Sequence, residues 1–340
     1  MRLLRLRQSN FRNLVTAEFA PGPGLSTLVG GNAQGKTNLL EAIFLALGGE
    51  LKNGMMERVR FGQGEARLLA EVETTFGSSR LETRLSQGGR EVYLNESSAS
   101  LRELAQLPGA VLLGPDDLEL VLGAPEERRR FLDLLLSRFS ARYRAILSQY
   151  NRALQQRNAL LKMGGAGIGV WNQELVKYGT EILNLRRRIL GKLKPLARDA
   201  YSELAPGDLG LELFETVDPA HFLQALESGL QDDLQRGVTS VGPHRDDLNI
   251  LLGGLEAGKY ASRGEARSIT LALRLAEHRL LWAHHDEAPL LLVDEWHTEL
   301  DARRRQALLN YAESLPQAIL AGLEAPSTGR MIPIEAGVWG

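Results

Sequence analysis

Gly30-Gly31-Asn32-Ala33-Gln34-Gly35-Lys36-Thr37 fits the pattern G-x-x-x-x-G-K-[ST], a loop that turns backbone N–H groups onto phosphate oxygens. Before it, Leu25-Ser26-Thr27-Leu28-Val29 reads as a short buried strand. After it, Asn38 to Leu47 carries apolar residues at helical spacing. Strand, glycine loop and helix in that order are the context the pattern needs, because a helix N-terminus presents free N–H groups and a favourable dipole. The stretch therefore predicts a nucleoside triphosphate site, with the backbone of Gly30 through Asn38 as the phosphate cradle. Lys36 is expected to reach the β- and γ-phosphates, and the Thr37 hydroxyl to ligate Mg²⁺.

Composition bounds what surrounds this loop. At 340 residues the chain allows about two domains. Its formal charge of −2 means that any nucleic-acid role rests on a local basic surface, not on bulk charge. Cysteine is absent, which excludes disulfides and thiolate-bound zinc and suits a reducing cytoplasm. Arginine interrupts Met1-Arg2-Leu3-Leu4-Arg5-Leu6-Arg7 too often for a signal peptide, and no apolar run approaches the roughly 20 residues of a membrane helix. A soluble, cytoplasmic protein is the expectation.

Taken in order, residues 3–7 alternate as a half-exposed strand. The turn Asn10-Phe11-Arg12-Asn13 brings Arg12 and Asn13 forward as candidate nucleotide contacts. From Ala66 to Leu94, alternating runs are separated by Gly77-Ser78-Ser79 and Gln87-Gly88-Gly89, which predicts an antiparallel sheet of hairpins. Val111-Leu112-Leu113 is a further buried strand ending at Gly114-Pro115-Asp116-Asp117. Apolar residues at steps near three and four then run from Pro125 to about Lys162, and again from Trp171 to Ala200, with a glycine-rich break between. This predicts an antiparallel helical hairpin whose second arm is roughly 45 Å long. A helical lobe without a projecting arm is the alternative. Leu211–Phe214 reads as a strand and 219–236 as a helix.

Pro289-Leu290-Leu291-Leu292-Val293-Asp294-Glu295 is an apolar run ending in two acids, the pattern of a buried parallel strand delivering carboxylates at its C-terminal edge. Asp294 is the expected second Mg²⁺ ligand. Glu295 is the candidate catalytic base acting on water, beside Lys36. Upstream, Ser262-Arg263-Gly264-Glu265 opens a helix running to Leu281, and Thr298-Glu299-Leu300-Asp301 follows the acids.

With these pieces in place the chain resembles the ABC-type ATPases. Their signature motif corresponds to Ser262-Arg263-Gly264-Glu265, and their D-loop to Thr298-Glu299-Leu300-Asp301. The resemblance implies that Ser262, Gly264 and Asp301 of one copy complete the nucleotide site of another, in an ATP-dependent head-to-tail homodimer. Further stretches resemble the RecF family of DNA-repair ATPases. They are Asn10-Phe11-Arg12-Asn13, Gly35 to Ile43, Gly114-Pro115-Asp116-Asp117-Leu118, Arg128 to Asp133 and Val241-Gly242-Pro243-His244-Arg245-Asp246-Asp247-Leu248. That likeness spans nearly the whole chain. It implies ATP and Mg²⁺ as cofactors and slow, DNA-stimulated hydrolysis. It also implies binding to double-stranded or gapped DNA, and RecR and RecO as partners in loading RecA. Recombinational gap repair, the SOS response and replication-fork maintenance are the implied settings.

The expected architecture is α/β. An ABC-type head (P-loop, mixed sheet plus antiparallel β subdomain) from 1–122 and 237–340 would carry an inserted helical lobe at 123–236. Three departures from the family pattern stand out. Asp116 occupies the place of a Q-loop glutamine, Arg263 and Glu265 alter the signature, and Ala318 to Glu324 offers no switch histidine. Two rival readings remain open, an ABC transporter cassette and a nucleotide-gated scaffold that scarcely hydrolyses.

Among the arginine triplets, Arg128 and Arg129, and Arg186 and Arg187 with Lys192, are the candidate DNA-phosphate contacts. His284-His285-Asp286-Glu287 reads as an exposed loop, not a metal cluster. His244 is expected to serve structure or an interface, and Trp171 and Trp282 the core.

Overall fold

Every residue of Leu290–Val293 is buried, as happens in the middle of a sheet covered on both faces. The computed structural model describes all residues but Asn53 and Gly340, and no side chain is described for Met55 or Leu101. Its strands are β1 (Arg2–Ser9), β2 (Glu18–Phe19), β3 (Gly24–Val29), β4 (Glu65–Thr74) and β5 (Gly77–Ser86). There follow β6 (Gly89–Leu94), β7 (Ser97–Ser98), β8 (Ala110–Leu113), β9 (Leu209–Phe214) and β10 (Asp247–Leu252). The last five are β11 (Leu255–Glu256), β12 (Leu290–Val293), β13 (Gln317–Gly322), β14 (Arg330–Glu335) and β15 (Val338–Trp339).

The chain divides into a first compact unit, 1–118 with 199–206 and 262–340, and a second, 119–198 with 207–261. In the first, one sheet has the order β15-β14-β3-β13-β12-β8, parallel from β14 to β8. The other is antiparallel, β2-β1-β4-β5-β6-β7. The helix Lys36–Ala46 packs against strands of both sheets. It is apolar on nearly every side for that reason, with Leu39, Leu40, Ala42 and Ile43 fully buried. On β4 the alternation of Ala66, Leu68, Ala70 and Val72 buries one face against the same core. Gln317, 1% exposed, ties the sheets together: its amide oxygen accepts from Leu3 N at 2.7 Å and its amide nitrogen donates to Leu3 O at 3.0 Å.

The second unit holds the helices Pro125–Phe139 and Ala141–Lys162, most of Gly169–Leu204, and the sheet β11-β10-β9. The single helix expected from Pro125 to Lys162 is two, because Ser140 turns extended at φ −154° and caps the next helix through Tyr143 N. Gly164, Gly165 and Gly167, all at positive φ, make the turn into Gly169–Leu204. The two long helices run antiparallel: Arg142 pairs with Glu181 at 2.7 Å, and Arg157 with Asn172 at 2.7 Å. With 36 residues the second arm is about 54 Å long, somewhat more than its apolar seam indicated.

Several local expectations are corrected. Residues 237–261, expected with the head, belong to the second unit because β10 pairs along its whole length with β9. Residues 219–236 form two short helices broken at Gly229, not one. The first hairpin turns at Thr75-Phe76, and Gly77-Ser78-Ser79 already belong to β5. Trp282 is 36% exposed, lying edge-on to His278 on the outside of its helix. His284 and His285 complete the helix Arg263–His285, with Asp286 as its left-handed cap.

Candidate nucleotide site

The phosphate loop is a bend that few residues tolerate. Gly35 sits at φ +106°, and a Cβ on Gly30 would fall 2.2 Å from Ile334 O. Lys36 begins the helix and folds back over the loop, its ammonium donating to Gly30 O at 2.7 Å and Gly31 O at 2.6 Å. Burial lowers the Lys36 pKa, opposed by the charges of Asp294 and Glu295. Asn32 and Ala33 are exposed at the loop's crest, Ala33 at φ +61°.

Asp294 ends the buried strand β12 and is 2% exposed. Its Oδ2 accepts from Thr37 Oγ1 at 2.5 Å, and its Oδ1 from Glu295 N at 3.0 Å. Burial raises the Asp294 pKa, and the Thr37 hydrogen bond works against that rise. One hydroxyl and one carboxylate beside a phosphate cradle fit Mg²⁺, which takes oxygen ligands and is commonly held by one or two carboxylates plus substrate phosphates. Glu295 is exposed and held at φ +48°, a left-handed turn.

Asn10–Asn13 brings two predicted residues to the loop. Arg12 Nη1 donates to Asn38 Oδ1 at 2.7 Å, and Asn38 Nδ2 donates to Asn13 Oδ1 at 2.6 Å. Arg12 Nη2 also meets Glu41 at 2.8 Å. Glu41 was assigned no role from sequence. Burial raises its pKa, against Arg12 and Arg58, and Asp116 at the Q-loop position adds to the rise. Gln34 is held by the last hairpin: its backbone O accepts from Gly337 N at 2.8 Å and its side chain from Ala336 N at 2.6 Å. Nothing local in sequence couples residues about 300 positions apart, so this strap escaped sequence reasoning.

Ser262 is the N-cap of Arg263–His285 and forms a complete capping box with Glu265, whose carboxylate accepts from Ser262 N at 2.8 Å and from its hydroxyl at 2.7 Å. Beyond Gly264 there is open space apart from one Arg304 nitrogen. Asp301 caps the helix Ala302–Glu313, and Arg263 pairs with Glu299 at 3.3 Å. Among the described residues, none of Ser262, Gly264 and Asp301 hydrogen-bonds the phosphate loop of its own chain. At the end of β13, Gly322 O accepts from Gly30 N at 3.4 Å. The imidazole there comes from elsewhere: a Cβ on Gly322 would lie 2.8 Å from His297 Nδ1, which is buried and has no hydrogen-bond partner among the described residues. His297 was missed because it follows the acids instead of the switch strand.

The arginine expectations need correction. Arg186 is 2% exposed and donates to Asp133 Oδ1 and Pro243 O, both at 2.7 Å. Arg128 pairs with Asp247 at 2.7 Å, and Arg129 donates to Asp246 O at 2.7 Å. Arg187, more exposed, is chelated by Glu215 at 2.7 Å. These cations are committed to holding the second unit together. Lys192 is exposed, as are Arg188 and Lys194 on the same helix. His244 lies in that unit too, with ring nitrogens 2.7 Å from Tyr150 OH and 3.1 Å from Thr239 O. It is a packing residue there.

Beside the loop lies a cavity of about 820 Å³, lined by Arg12, Asn13, 33–38 and a second wall of Met56, Glu57 and 59–63 that sequence reasoning left unassigned. No metal-binding cluster of His, Asp or Glu occurs among the described residues, and no described helix is long and apolar enough to cross a membrane.

Comparison with known proteins agrees with this arrangement. Residues 2–330 match the family model described as the RecF/RecN/SMC N terminal domain. The chain is 42% identical to the DNA replication and repair protein RecF of Deinococcus radiodurans, over 99% of this chain and 95% of that protein. It is 37% identical to the RecF of Desulforudis audaxviator, over 99% of this chain and 98% of that one. A solved structure of the recombination mediator protein RecF with ATP superposes with a TM-score of 0.91 at 28% identity, covering 99% of this chain and 96% of that one. An Smc head from Pyrococcus furiosus, 17% identical with a TM-score of 0.55 over 99% of this chain and 94% of that one, shares the fold. These matches leave the transporter-cassette reading without support. A phosphate loop facing a buried Asp294, on an ABC/SMC-type head, is thus found in a chain that belongs to the RecF family of DNA replication and repair proteins.

Proposed function

We propose that this chain is an ATP-binding recombination mediator of DNA replication and repair, the role named for its relatives. ATP with Mg²⁺ would join two copies head to tail, with Ser262, Gly264 and Asp301 of each facing the phosphate loop of the other. The paired copies grip double-stranded or gapped DNA, and slow hydrolysis releases it. RecR and RecO are the partners in loading RecA. The observation that carries the reading is the convergence of Lys36, Thr37 and Asp294, with the free carboxylate of Glu295 next to them.

Each residue has a separable task. Lys36 neutralises phosphate charge, and the N–H groups at the start of its helix orient the phosphates. Thr37 and Asp294 would hold Mg²⁺, which would supply neutralisation of phosphate charge. Glu295, exposed at the edge of the strand, can accept a proton from water. For DNA, the exposed Arg188, Lys192 and Lys194 are better placed for phosphate contacts than the buried Arg186. Such contacts give sequence-independent binding that weakens steeply with salt. A nearly non-hydrolysing scaffold is the second reading, since Ala318 to Glu324 carries no histidine of its own and the imidazole beside Gly322 is that of His297.

Light scattering with and without ATP–Mg²⁺, on wild type, Lys36→Arg and Ser262→Arg, tests the proposal. Wild type should dimerise with ATP, while Ser262→Arg binds ATP and stays monomeric. If Ser262→Arg dimerises as wild type does, the head-to-tail sandwich is wrong.

A further inference from the structure

The stretch 241–248 is distinctive in sequence, lies wholly in the second unit and has no task so far. Its residues turn inward one after another. Gly242 sits at φ +121°, where a Cβ would fall 2.6 Å from Tyr150 OH. Pro243 O accepts from Arg186 at 2.7 Å, and the His244 ring is 2.7 Å from Tyr150 OH. Asp246 accepts from Thr216 N at 2.9 Å, and Asp247 pairs with Arg128 at 2.7 Å. Just before the stretch, Thr239 is tied to Arg157 at 2.8 Å and to Asn158 at 2.7 Å. Buried ion pairs add little net stability over apolar packing; what they give here is one fixed loop shape.

Arg245 is the exception. Among the described residues 237–247, it alone is exposed. Its Nε donates to Thr239 O at 3.1 Å, which fixes the guanidinium plane. Among the described residues neither of its Nη atoms has a hydrogen-bond or ion-pair partner. The acids that border the loop are already engaged, Asp233 by Arg157, Asp246 by Thr216 and Asp247 by Arg128. Burial first, and then the charges of Arg245, Arg129 and Arg157, lower the His244 pKa, so the local field is positive.

We infer that Arg245 is a phosphate contact for a nucleic-acid backbone, presented by this rigid loop as a preformed guanidinium fork. A planar fork with free N–H groups suits phosphate, and holding it in place spares the rotamer entropy that a loose surface arginine loses on binding. A protein partner is less well served, because the described residues 237–247 expose no apolar side chain to form an interface core. The inference rests on the DNA reading of this chain, and names a contact outside the helix that carries Arg188 and Lys192.

Fluorescence anisotropy with a short DNA duplex, in ATP–Mg²⁺ and across a salt series, tests it on wild type, Arg245→Ala, Arg245→Lys and Arg188→Ala. Arg245→Ala should weaken binding by about three- to tenfold at about 0.1 M salt and reduce the salt slope by about one. Arg245→Lys keeps the charge, so it should keep the wild-type slope and recover part of the affinity. If wild type binds no duplex, the DNA reading falls and this contact with it. If wild type binds the duplex and Arg245→Ala binds it equally, the contact is overturned, and a loss in Arg188→Ala leaves the DNA reading standing. Equal losses for Arg245→Ala and Arg245→Lys at an unchanged slope would assign Arg245 to the shape of the loop and overturn the contact too.

Discussion

Thr37 and Asp294, 257 positions apart in the chain, meet at 2.5 Å at the mouth of the phosphate loop. One lies in the first turn of the helix after the loop and the other directly follows the buried strand β12, two places from β3 in the sheet, so the contact depends on the parallel order β3-β13-β12. Asp294→Asn keeps the shape and removes the charge. It should weaken ATP binding in Mg²⁺ by about 10- to 100-fold and change binding in EDTA little. Thr37→Ala should act alike, and the double variant should be clearly non-additive. Equal losses with and without Mg²⁺ would count against both residues as metal ligands.

Gly337 lies at φ +78°, and a Cβ there would fall 2.2 Å from Asn13 O. Gly337→Ala should therefore displace the turn that holds Gln34, at about 1–3 kcal/mol. Thermal melting should drop by several degrees, and ATP affinity should fall with it. A variant that melts like wild type would show that the strap is loose.

Arg157 and Asp233 are fully buried and 2.7 Å apart, and the arginine also donates to Thr239, Asn172 and Leu226 O. Asp233→Ala leaves a buried guanidinium unpaired and should cost about 3–5 kcal/mol in urea unfolding. The exposed pair Arg187–Glu215 sets the contrast, since Glu215→Ala should cost about 1 kcal/mol or less. If both substitutions cost the same, burial does not govern these pairs.

Burial pushes the His244 pKa down to about 4, helped by the nearby Arg245, Arg129 and Arg157, while its hydrogen bond to Thr239 opposes the shift. The unfolded imidazole titrates near 6.5, so between these values the unfolded chain binds more protons and stability rises with pH. The contribution is complete above about pH 6.5 and lost as pH falls toward 4, on the order of 3 kcal/mol. Asp246, whose pKa is raised by burial, acts in the opposite sense, so the comparison must be between variants. His244→Gln should flatten the acid limb of wild-type stability, measured by urea unfolding from about pH 7.5 to 4.5. An unchanged limb would assign the acid sensitivity to another group.

Periodicity and motif order carried much of the fold. The hydrophobic run 290–293 is an interior strand, and the alternation along β4 and the second half of β5 has one buried face. The glycine loop also declared its own conformation, because Gly35 at φ +106° is a demand that local sequence records. Those are properties of neighbouring residues, and neighbouring residues are what a sequence displays.

Charge was the reverse case. Arg128-Arg129-Arg130 and Arg186-Arg187-Arg188 look alike as strings, yet Arg186 is buried against Asp133 while Arg188 faces solvent. Which arginine meets an acid and which is left for a polyanion depends on carboxylates such as Asp133, Asp246 and Asp247 arriving from other elements. The Gln34–Gly337 strap, the His297 imidazole beside Gly322 and the cavity wall at 59–63 likewise exist only once distant segments are packed together. Sequence by itself determined the phosphate loop, the buried strand with its acids and the family. Tertiary structure alone decided which charges are free, because desolvation and pairing are set by three-dimensional neighbours.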